Sequence, residues 1–163
     1  MGSTFSKTIN ISQNPGNSFD PLISSSGNTI YIVWTDEAGQ DASDVLFKRS
    51  TNGGSSFTHV RNLSSNLASA KELSLSKDGP NVQVAWEDTS KVNSEIFPKR
   101  STNLGMDFNP RVDVSNSPGT SIVPKTASLN GIIYVTWIER VSDSESDLLF
   151  VKGIDNTVSV FGN

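Results

Sequence analysis

The sequence has no cysteine, one histidine and no long apolar run, and each absence excludes a class of protein. Without cysteine the chain forms no disulfide and offers no thiolate to a metal ion. His59 is the single histidine and no serine can be placed beside it, so the sequence supports no Ser-His-Asp triad. No apolar run approaches the ~18 residues of a membrane-spanning helix, and we therefore expect no membrane span.

Basic residues are also few, because 13 lysines and arginines stand against 17 acidic residues and give a net charge of −4. A nucleic-acid-binding domain carries a basic face, so this balance argues against nucleic acid as a partner. Hydrophobic residues make up 34% of the chain, and serine and asparagine are abundant, which is typical of all-β proteins with many tight turns. The 163 residues suffice for one domain that buries ~70% of its unfolded surface.

Three repeats organise the chain. The tryptophans Trp34, Trp86 and Trp137 stand 52 and 51 residues apart within similar stretches. A fixed period near 50 residues is typical of propellers and other repeat arrays. We place a single repeat domain over residues 1–163, with an N-terminal strand at about 4–13 and repeats at about 18–64, 70–115 and 122–163.

Each repeat predicts four short strands, A to D, and strand B contains the tryptophan. Strand B alternates with period two, and both of its faces are largely apolar, so each sheet should be stacked between neighbouring sheets. Residues 4–13 match strand D, because Asn10-Ile11-Ser12 corresponds to Asn62-Leu63-Ser64. The third repeat stops where its own strand D should begin. The N-terminal strand is therefore predicted to complete the last sheet and to leave no open edge.

The turns between strands C and D carry the most specific motif of the chain. They resemble the Asp boxes, or BNR repeats, of the sialidase-like β-propellers, with asparagine in place of the family's aspartate and phenylalanine in place of its usual tryptophan. The matching residues are Ser50, Asn52, Gly54, Phe57, Ser101, Asn103, Gly105 and Phe108. We expect a structural role for them, since a short polar side chain can bind the N–H groups of a turn and glycine tolerates a conformation that other residues avoid.

The resemblance implies an all-β, sialidase-like β-propeller with three four-stranded blades per chain. Propellers of this family have six blades, so two copies of the chain would close the ring as a homodimer. The alternative is that the chain is a fragment of a longer propeller. The resemblance is also the reason to expect an extracellular or cell-surface location, although no signal peptide is visible.

The loops between strands B and C gather eleven of the seventeen acidic residues. Three of these, Asp36, Asp88 and Glu139, each follow a tryptophan by two residues, and we predict that they form a ring of carboxylates. An acidic face of this kind favours cations, cationic ligands, glycans or a Ca²⁺ ion held by oxygen ligands. The remaining acidic loop residues are Glu37, Asp41, Asp44, Glu87, Glu95, Asp143, Glu145 and Asp147.

The sequence favours a non-catalytic module for binding or surface recognition over an enzyme. The resemblance implies that a sialidase would need an arginine triad for its substrate, yet Arg49 and Arg100 stand towards the face opposite the acidic loops, and only Arg140 lies in one of those loops. A glycoside hydrolase of sialidase type remains an alternative, because other glycosidases need only two suitably spaced carboxylates. A structural unit of a larger surface protein is the third possibility.

Overall fold

The computed structural model describes residues 4–39, 42–65, 68–154 and 157–159. This part of the chain contains eleven β-strands in three antiparallel sheets. It forms no helix, and so it contains no helix that could cross a membrane. Asp41, one of the predicted acidic loop residues, lies outside the described residues.

The three sheets follow one another along the chain, and we call them the first, second and third blades. The first blade contains β1 (Ser18–Ser26), β2 (Thr29–Gly39), β3 (Ala42–Ser50) and β4 (Arg61–Asn62). The second contains β5 (Ala70–Asp78), β6 (Asn81–Asp88) and β7 (Glu95–Ser101). The third contains β8 (Thr120–Leu129), β9 (Ile132–Arg140), β10 (Ser146–Ile154) and β11 (Thr157–Ser159).

Tight turns join the first two strands of every blade, and each turn contains a glycine with a positive φ. The values are +56° at Gly27, +54° at Gly79 and +78° at Gly131. A side chain at such a backbone angle is strained, which is why glycine recurs at this point of the repeat. The turns fix the pairing register, and they bring equivalent residues to the same height in all three blades.

The fourth segments of the first two blades are held in the same way. These segments are residues 57–64 and 108–115. Two backbone N–H groups of each segment donate to the third strand of its blade, and the corresponding donors of the two blades are 51 residues apart in the sequence. The bonds of the first blade are Thr58 N–H to Arg49 O (2.9 Å) and Leu63 N–H to Val45 O (2.7 Å), and those of the second are Asn109 N–H to Arg100 O (2.9 Å) and Val114 N–H to Ile96 O (3.0 Å).

The fourth segment of the second blade is nevertheless not a regular strand, and Pro98 explains the difference. Pro98 pairs with Ala85 and Phe47 pairs with Val33, so the two occupy equivalent positions in their blades. The N–H of Phe47 points towards the fourth segment, as do the backbone groups two residues to either side. Proline has no N–H to offer there, and the ladder loses one bond.

The third blade differs from the prediction that it lacks an outer strand of its own. Its short strand β11 pairs with the end of β10, with Lys152 opposite Ser159 and Ile154 opposite Thr157. The rest of β10, from Ser146 to Val151, has no partner on its outer side among the described residues.

The blades stack face to face, and the second and third blades each turn their tryptophan face towards the preceding blade. Val82, Val84 and Trp86 of β6 pack against Tyr31 and Val33 of β2 in one apolar cluster. A second cluster contains Ile96 and Val114 of the second blade with Val135, Trp137 and Val151 of the third. All of these residues are buried, so the two blade interfaces are the core of the molecule.

The first strands of the blades, β1, β5 and β8, pack side by side and are innermost. Hydroxyl groups connect β5 to β8, since Ser74 Oγ lies 3.1 Å from Thr126 Oγ1 and Ser76 Oγ lies 2.9 Å from Ser128 Oγ. Because both pairs span 52 residues, the repeat itself brings like residues together at the axis.

Candidate functional site

Each of the three predicted ring carboxylates accepts a hydrogen bond from the tryptophan two residues before it. The indole N–H of Trp34 lies 2.9 Å from Asp36 Oδ2, and the distances in the second and third blades are 3.2 and 3.3 Å. Strand alternation places residues i and i+2 on one face, so the carboxylate at this spacing meets the indole edge. Asp36, Asp88 and Glu139 are all buried.

In the first and third blades the same carboxylate also holds the segment that enters the blade. Ser18 Oγ donates to Asp36 at 2.7 Å and Asn14 donates to it as well. Ser121 Oγ donates to Glu139 at 2.5 Å, accompanied by Ser117. One buried acid therefore connects strand B to the start of strand A and to the linker before it.

The second blade reaches a similar result with a cation. Ala70 stands where the other blades have Ser18 and Ser121. Asp88 accepts instead from the guanidinium of Arg111 at 2.9 Å, and the same guanidinium lies 4.1 Å from the centre of the Phe97 ring. The predicted binding role of Asp36, Asp88 and Glu139 stays a prediction, and the contacts described above tie all three into the blades.

The prediction that the acidic residues stand in loops is wrong for most of them, because they lie at the ends of strands. Asp36, Asp88 and Glu139 belong to β2, β6 and β9.

Three other acidic residues, Asp44, Glu87 and Glu95, belong to β3, β6 and β7 and also have partners within the protein. Ser64 Oγ donates to Asp44 at 2.8 Å, and Ser115 Oγ donates to Glu95 at 2.5 Å. Lys71 forms an ion pair with the buried Glu87 at 3.1 Å. The exposed acidic side chains of the third blade are Asp143, Glu145 and Asp147, and the first two line a polar pocket that also contains Arg140.

The innermost strands carry a feature that the sequence analysis missed. Each has a bulge near the loop face, and one residue of each bulge has a positive φ: 50° at Asp20, 51° at Glu72 and 54° at Val123. Non-glycine residues with this backbone angle are uncommon. Asp20 and Glu72 are exposed, and together they line a small pocket between β1 and β5.

The signal for these bulges was present in the sequence. Asp20, Glu72 and Val123 are spaced by the repeat, and prolines follow two of them, at Pro21 and Pro124. A proline at a fixed place inside a strand pattern indicates a bulge or the strand's end. The Asp20–Glu72 pocket therefore lies on the axis side of two neighbouring blades, at the end where the strand B–C loops are.

The two C–D turns have matching hydrogen bonds around their serine and asparagine. In the first turn Gly54 N–H donates to Ser50 Oγ at 2.9 Å, and Ser56 N–H donates to Asn52 Oδ1 at 3.0 Å. The second turn repeats these bonds at 2.8 and 2.9 Å, through Ser101 and Asn103. The serine and asparagine thus accept from turn N–H groups, which is the local role expected for them.

The second C–D turn also fills the interface between the first two blades. The ring of Phe108 packs edge-on against Phe47, with 5.1 Å between centroids. Gly105 lies over the same ring, and a Cβ there would be 2.8 Å from Phe47 Cζ. Arg49 adds a bond from its guanidinium to the Leu104 carbonyl at 2.8 Å. These turns therefore lie between blades, away from the Asp20–Glu72 pocket.

No group of three or more histidine, cysteine or acidic residues in the described part of the chain is arranged to hold a metal ion. Two groups between the first and second blades, Lys99 and Tyr31, have shifted pKa values. Burial, together with the nearby charges of Arg111 and Arg61, lowers the pKa of Lys99. Burial raises the pKa of Tyr31.

No protein-family model matches the chain, and no curated protein matches it. Solved structures do match. A Trypanosoma rangeli sialidase in complex with the inhibitor DANA superposes with a TM-score of 0.62 at 10% identity, over 89% of this chain and 30% of the sialidase. An ulvan lyase of polysaccharide lyase family 25 gives a TM-score of 0.60 at 10% identity, over 88% of this chain and 43% of the lyase.

A family 117 glycoside hydrolase from Zobellia galactanivorans gives a TM-score of 0.55 at 9% identity, over 86% of this chain and 53% of the hydrolase. The chain therefore spans 30% to 53% of the length of these proteins. Identities this low carry information about the fold alone. The fold of the chain is that of the sialidase-like β-propellers.

Proposed function

We propose that the protein is a non-catalytic carbohydrate-binding propeller module whose ligand docks at the mouth of the axis. The observation that carries the proposal is the pocket lined by Asp20 and Glu72, where two neighbouring blades hold exposed carboxylates on bulges with positive φ. Backbone strain of this kind persists only where the surrounding structure holds it, and it clusters at functional sites. The exposed acidic loop of the third blade extends the same face.

The charge of this face determines the class of sugar. Carboxylates accept hydrogen bonds from hydroxyl and ammonium groups and repel anions, so neutral or amino-bearing glycans fit better than sialic or uronic acids. The matched sialidase and ulvan lyase structures contain anionic ligands, sialic acid analogues in one case and a glucuronate-containing sulfated unit in the other. We therefore propose a shared fold with a different ligand preference.

The arginines support the non-catalytic assignment. Recognition of a sugar carboxylate needs convergent positive charge. In this chain Arg49, Arg61, Arg100 and Arg111 form contacts within or between blades, with the Leu104 carbonyl, Asp107, Asn81 and Asp88 respectively. Arg140 alone lines a pocket on the loop face.

The exposed carboxylate pair also keeps the alternative of a glycoside hydrolase open, since two carboxylates can serve as acid and base. A Ca²⁺ ion at this face would add a bridging cation between acidic side chains and sugar hydroxyls. We further propose an extracellular or cell-surface location, which suits a glycan-binding module.

The test is a calorimetric titration with three oligosaccharides of matched length. They are an amino-bearing chitosan oligosaccharide, a neutral cello-oligosaccharide and an anionic oligogalacturonate. We expect the amino-bearing or neutral sugar to bind and the oligogalacturonate not to bind. Asp20→Asn and Glu72→Gln should each weaken binding at least tenfold. Asp78→Asn, at the other end of β5, is the matched control and should leave it unchanged.

Two results would contradict the proposal. If none of the sugars binds, with or without added CaCl₂, the carbohydrate assignment fails. If a fluorogenic glycoside is hydrolysed and Asp20→Asn abolishes that turnover, the protein is an enzyme. Repeating the titration in EDTA separates direct recognition from recognition through Ca²⁺.

A further inference from the structure

The two end blades expose faces that match interfaces already present inside the chain. The second and third blades turn their tryptophan face to the preceding blade, and the first and second turn their other face to the following one. The tryptophan face of the first blade, with Ile32 and the buried Trp34, has no described blade in front of it, and residues 9–12 lie beside it instead. The third blade offers the opposite kind of face, with Tyr134 and Ile138, that no described blade follows.

An aromatic pair makes the correspondence specific. Tyr31 and Phe47 stack with 6.3 Å between centroids on the face that the first blade turns to the second, and both are buried. Tyr134 and Phe150 stack with 6.1 Å between centroids on the free face of the third blade. Phe150 is 49% exposed, and its neighbour on this face, Leu148, is 71% exposed.

The turn that covers the Tyr31–Phe47 pair has an equivalent in the first blade, which could cover Phe150 of another copy. Phe47 is covered by Phe108 and Gly105 of the C–D turn of the next blade. The residues 51 positions earlier, Phe57 and Gly54, form the equivalent turn of the first blade. A first blade placed after a third blade would set this turn on Phe150.

The N-terminal segment has the local structure of an outer strand. Asn10, Asn62 and Asp113 each accept from a backbone N–H three residues later, at 3.1, 2.8 and 2.9 Å. The donors of these bonds are Gln13, Ser65 and Asn116, and all three have positive φ. Residues 10–13 thus repeat the turn that ends the outer segments of the first and second blades.

This segment already lies where the outer strand of a preceding blade belongs. Lys48 Nζ of β3 donates to the Ile11 carbonyl at 2.7 Å, and residues 9–12 line a cavity with Ile32 and Trp34. Its apolar side chains are nevertheless open, since Phe5 is 97% and Ile9 57% exposed. An outer strand normally pairs with the third strand of its blade, and no described strand lies beside residues 4–13 in that position.

The free edge of β10 is the complementary element. The tryptophans pair with Leu46, Phe97 and Leu149, so these three residues are equivalent, and β10 has the same register as β3 and β7. In the first blade, Ser64 Oγ accepts from Val45 N–H at 3.0 Å and donates to Asp44. The third blade has Leu148 and Asp147 at these places, and no described outer-strand residue faces them as Ser64 faces Val45 and Asp44.

We propose that two copies of the chain associate head to tail, with the free face of each third blade packed on the first blade of the other copy. Residues 4–13 of each copy form the outer strand of the other copy's third blade. Ile11 N–H then donates to the Leu148 carbonyl, and Ser12 Oγ joins Leu148 N–H to Asp147. Phe57 of one copy covers Phe150 of the other. Ser6 corresponds to Thr58, which bonds Arg49 in the first blade, so residues 4–8 reach Lys152 and displace the short strand β11 there.

Two such contacts close a ring. A head-to-tail interface produces either a closed ring or an open filament, depending on the rotation per step. The proposed contact has the same geometry as the two contacts between successive blades within the chain. It therefore rotates the next blade about the axis by the same angle. Three blades from each copy then make six, within the four to eight blades that closed propellers contain. The second copy also completes the axis by adding its own Asp20 and Glu72.

The first experiment measures the mass in solution by light scattering. We expect twice the 17.5 kDa of one chain. Phe150→Glu places a charge on the proposed interface and should give a monomer. Val92→Glu changes an equally apolar but fully exposed loop residue and should leave the dimer intact. Tryptophan fluorescence verifies that both variants remain folded, since neither side chain is buried in the single chain.

A cross-link tests the strand exchange itself. The chain has no cysteine, so introduced pairs are unambiguous. Asn62 lies directly opposite Leu46, and the corresponding pair between copies is Asn10 and Leu149. The double variant N10C/L149C should form a covalent dimer that reduction releases, whereas N10C/V92C should remain monomeric on a non-reducing gel.

Each other outcome contradicts the proposal. A wild-type monomer rules out the association, and a dimer that survives Phe150→Glu rules out this face. Growth of the mass with concentration beyond the dimer indicates an open filament, in place of a closed ring. A dimer without the N10C/L149C cross-link excludes the exchange of residues 4–13.

Discussion

The tryptophan and the carboxylate two residues after it form the most regular side-chain contact of this protein. It occurs once per blade, at indole-to-carboxylate distances of 2.9 to 3.3 Å. A buried carboxylate is stable only when several donors surround it. In the first and third blades these donors come from the segment leading into strand A, so the contact sets where each blade begins.

Neutralising one of these carboxylates should therefore destabilise its blade. Glu139→Gln replaces an acceptor-only group by an amide, and at least one of its donors, Ser117, Ser121 or Trp137, loses its partner. We expect a loss of about 1–3 kcal/mol in the free energy of unfolding. Urea denaturation followed by circular dichroism measures it. Glu145→Gln, in the exposed loop of the same blade, is the control, and an equal effect of the two would contradict the assignment.

Glycine in the second C–D turn is required for space as well as for its backbone angle. A Cβ at Gly105 would lie 2.8 Å from Phe47, and its φ is +76°. Gly53 has a φ of +65° with nothing within 4 Å, so Gly53→Ala isolates the backbone effect. We expect Gly105→Ala to cost about 1–3 kcal/mol more than Gly53→Ala. Thermal unfolding of the two variants gives the comparison, and equal melting temperatures would show that Phe47 moves aside without cost.

At this scale the sequence predicted the polar contacts of the C–D turns but not the burial of Asp36, Asp88 and Glu139. The turn contacts are local, within four residues, and so the motif contains them. Two donors to Asp36, Asn14 and Ser18, lie about 20 residues earlier, in the segment before β1 and at its first residue, and only the folded blade brings them to Asp36. In the sequence, an acidic residue two positions after the tryptophan therefore resembles a solvated loop residue, although it lies in the strand and is buried.

Among the strands, the innermost ones are the most irregular. β1, β5 and β8 each contain a bulge with one residue at φ between 50° and 54°. The bulge displaces two residues from the ladder, and in β1 and β5 it carries the exposed side chains of Asp20 and Glu72. The equivalent residue of β8 is Val123, and a β-branched residue with this φ is an outlier.

Val123→Gly should consequently stabilise the third blade. Glycine removes the strain of a side chain at φ 54°, and we expect a gain of about 1 kcal/mol. Ala127→Gly is the control within β8, at a residue that is not among those with positive φ, and should cost ~0.5–1 kcal/mol. Denaturant titrations measure both, and a loss of stability in both variants would mean that the bulge is not strained.

Strand order and register followed from the sequence, because the period-two pattern and the glycine turns determine them locally. The bulges did not, although proline at 21 and 124 indicated them. The short strand β11 was missed since its two-residue connection has no glycine turn signal. The weak fourth segment of the second blade could be predicted from Pro98, because a proline inside a strand has no N–H to donate to the neighbouring strand.

For the whole molecule, the interface between blades determines how charge affects stability. Lys99 lies half-buried between the first two blades, near Arg61 and Arg111, and its pKa is lowered from 10.5 by burial and by these charges. The folded protein thus binds this proton less tightly than the unfolded chain does. The stability contributed at this site rises as the pH increases towards 10.5.

Lys99→Met should for this reason stabilise the protein at neutral pH. The advantage over the wild type should shrink as the pH rises towards 10.5, where the wild-type lysine loses its charge in both states. The raised pKa of Tyr31 affects both proteins equally and cancels in the difference. Melting temperatures between pH 6 and pH 10 test this, and a difference that is constant or grows with pH would contradict it.

The architecture was the most predictable property, and the site the least. Three copies of a 51- to 52-residue pattern predict the blade and the two apolar faces by which it stacks on neighbouring blades. A ligand site depends on which side chains the axis collects, and Asp20 and Glu72 are 52 residues apart in the chain. Pro21 indicates a bulge at Asp20, but neither local stretch shows that the side chains of Asp20 and Glu72 meet at the axis.

The placement of one tryptophan in each blade gives the molecule three built-in spectroscopic probes. Each indole is buried, at 0–3% exposure, and each is bonded to a carboxylate of its own blade, so its emission should report the opening of that blade. Three variants that each retain a single tryptophan would let the loss of each blade be timed separately. Coincident traces would mean that the blades unfold as one unit, and staggered traces would reveal the order in which the array comes apart.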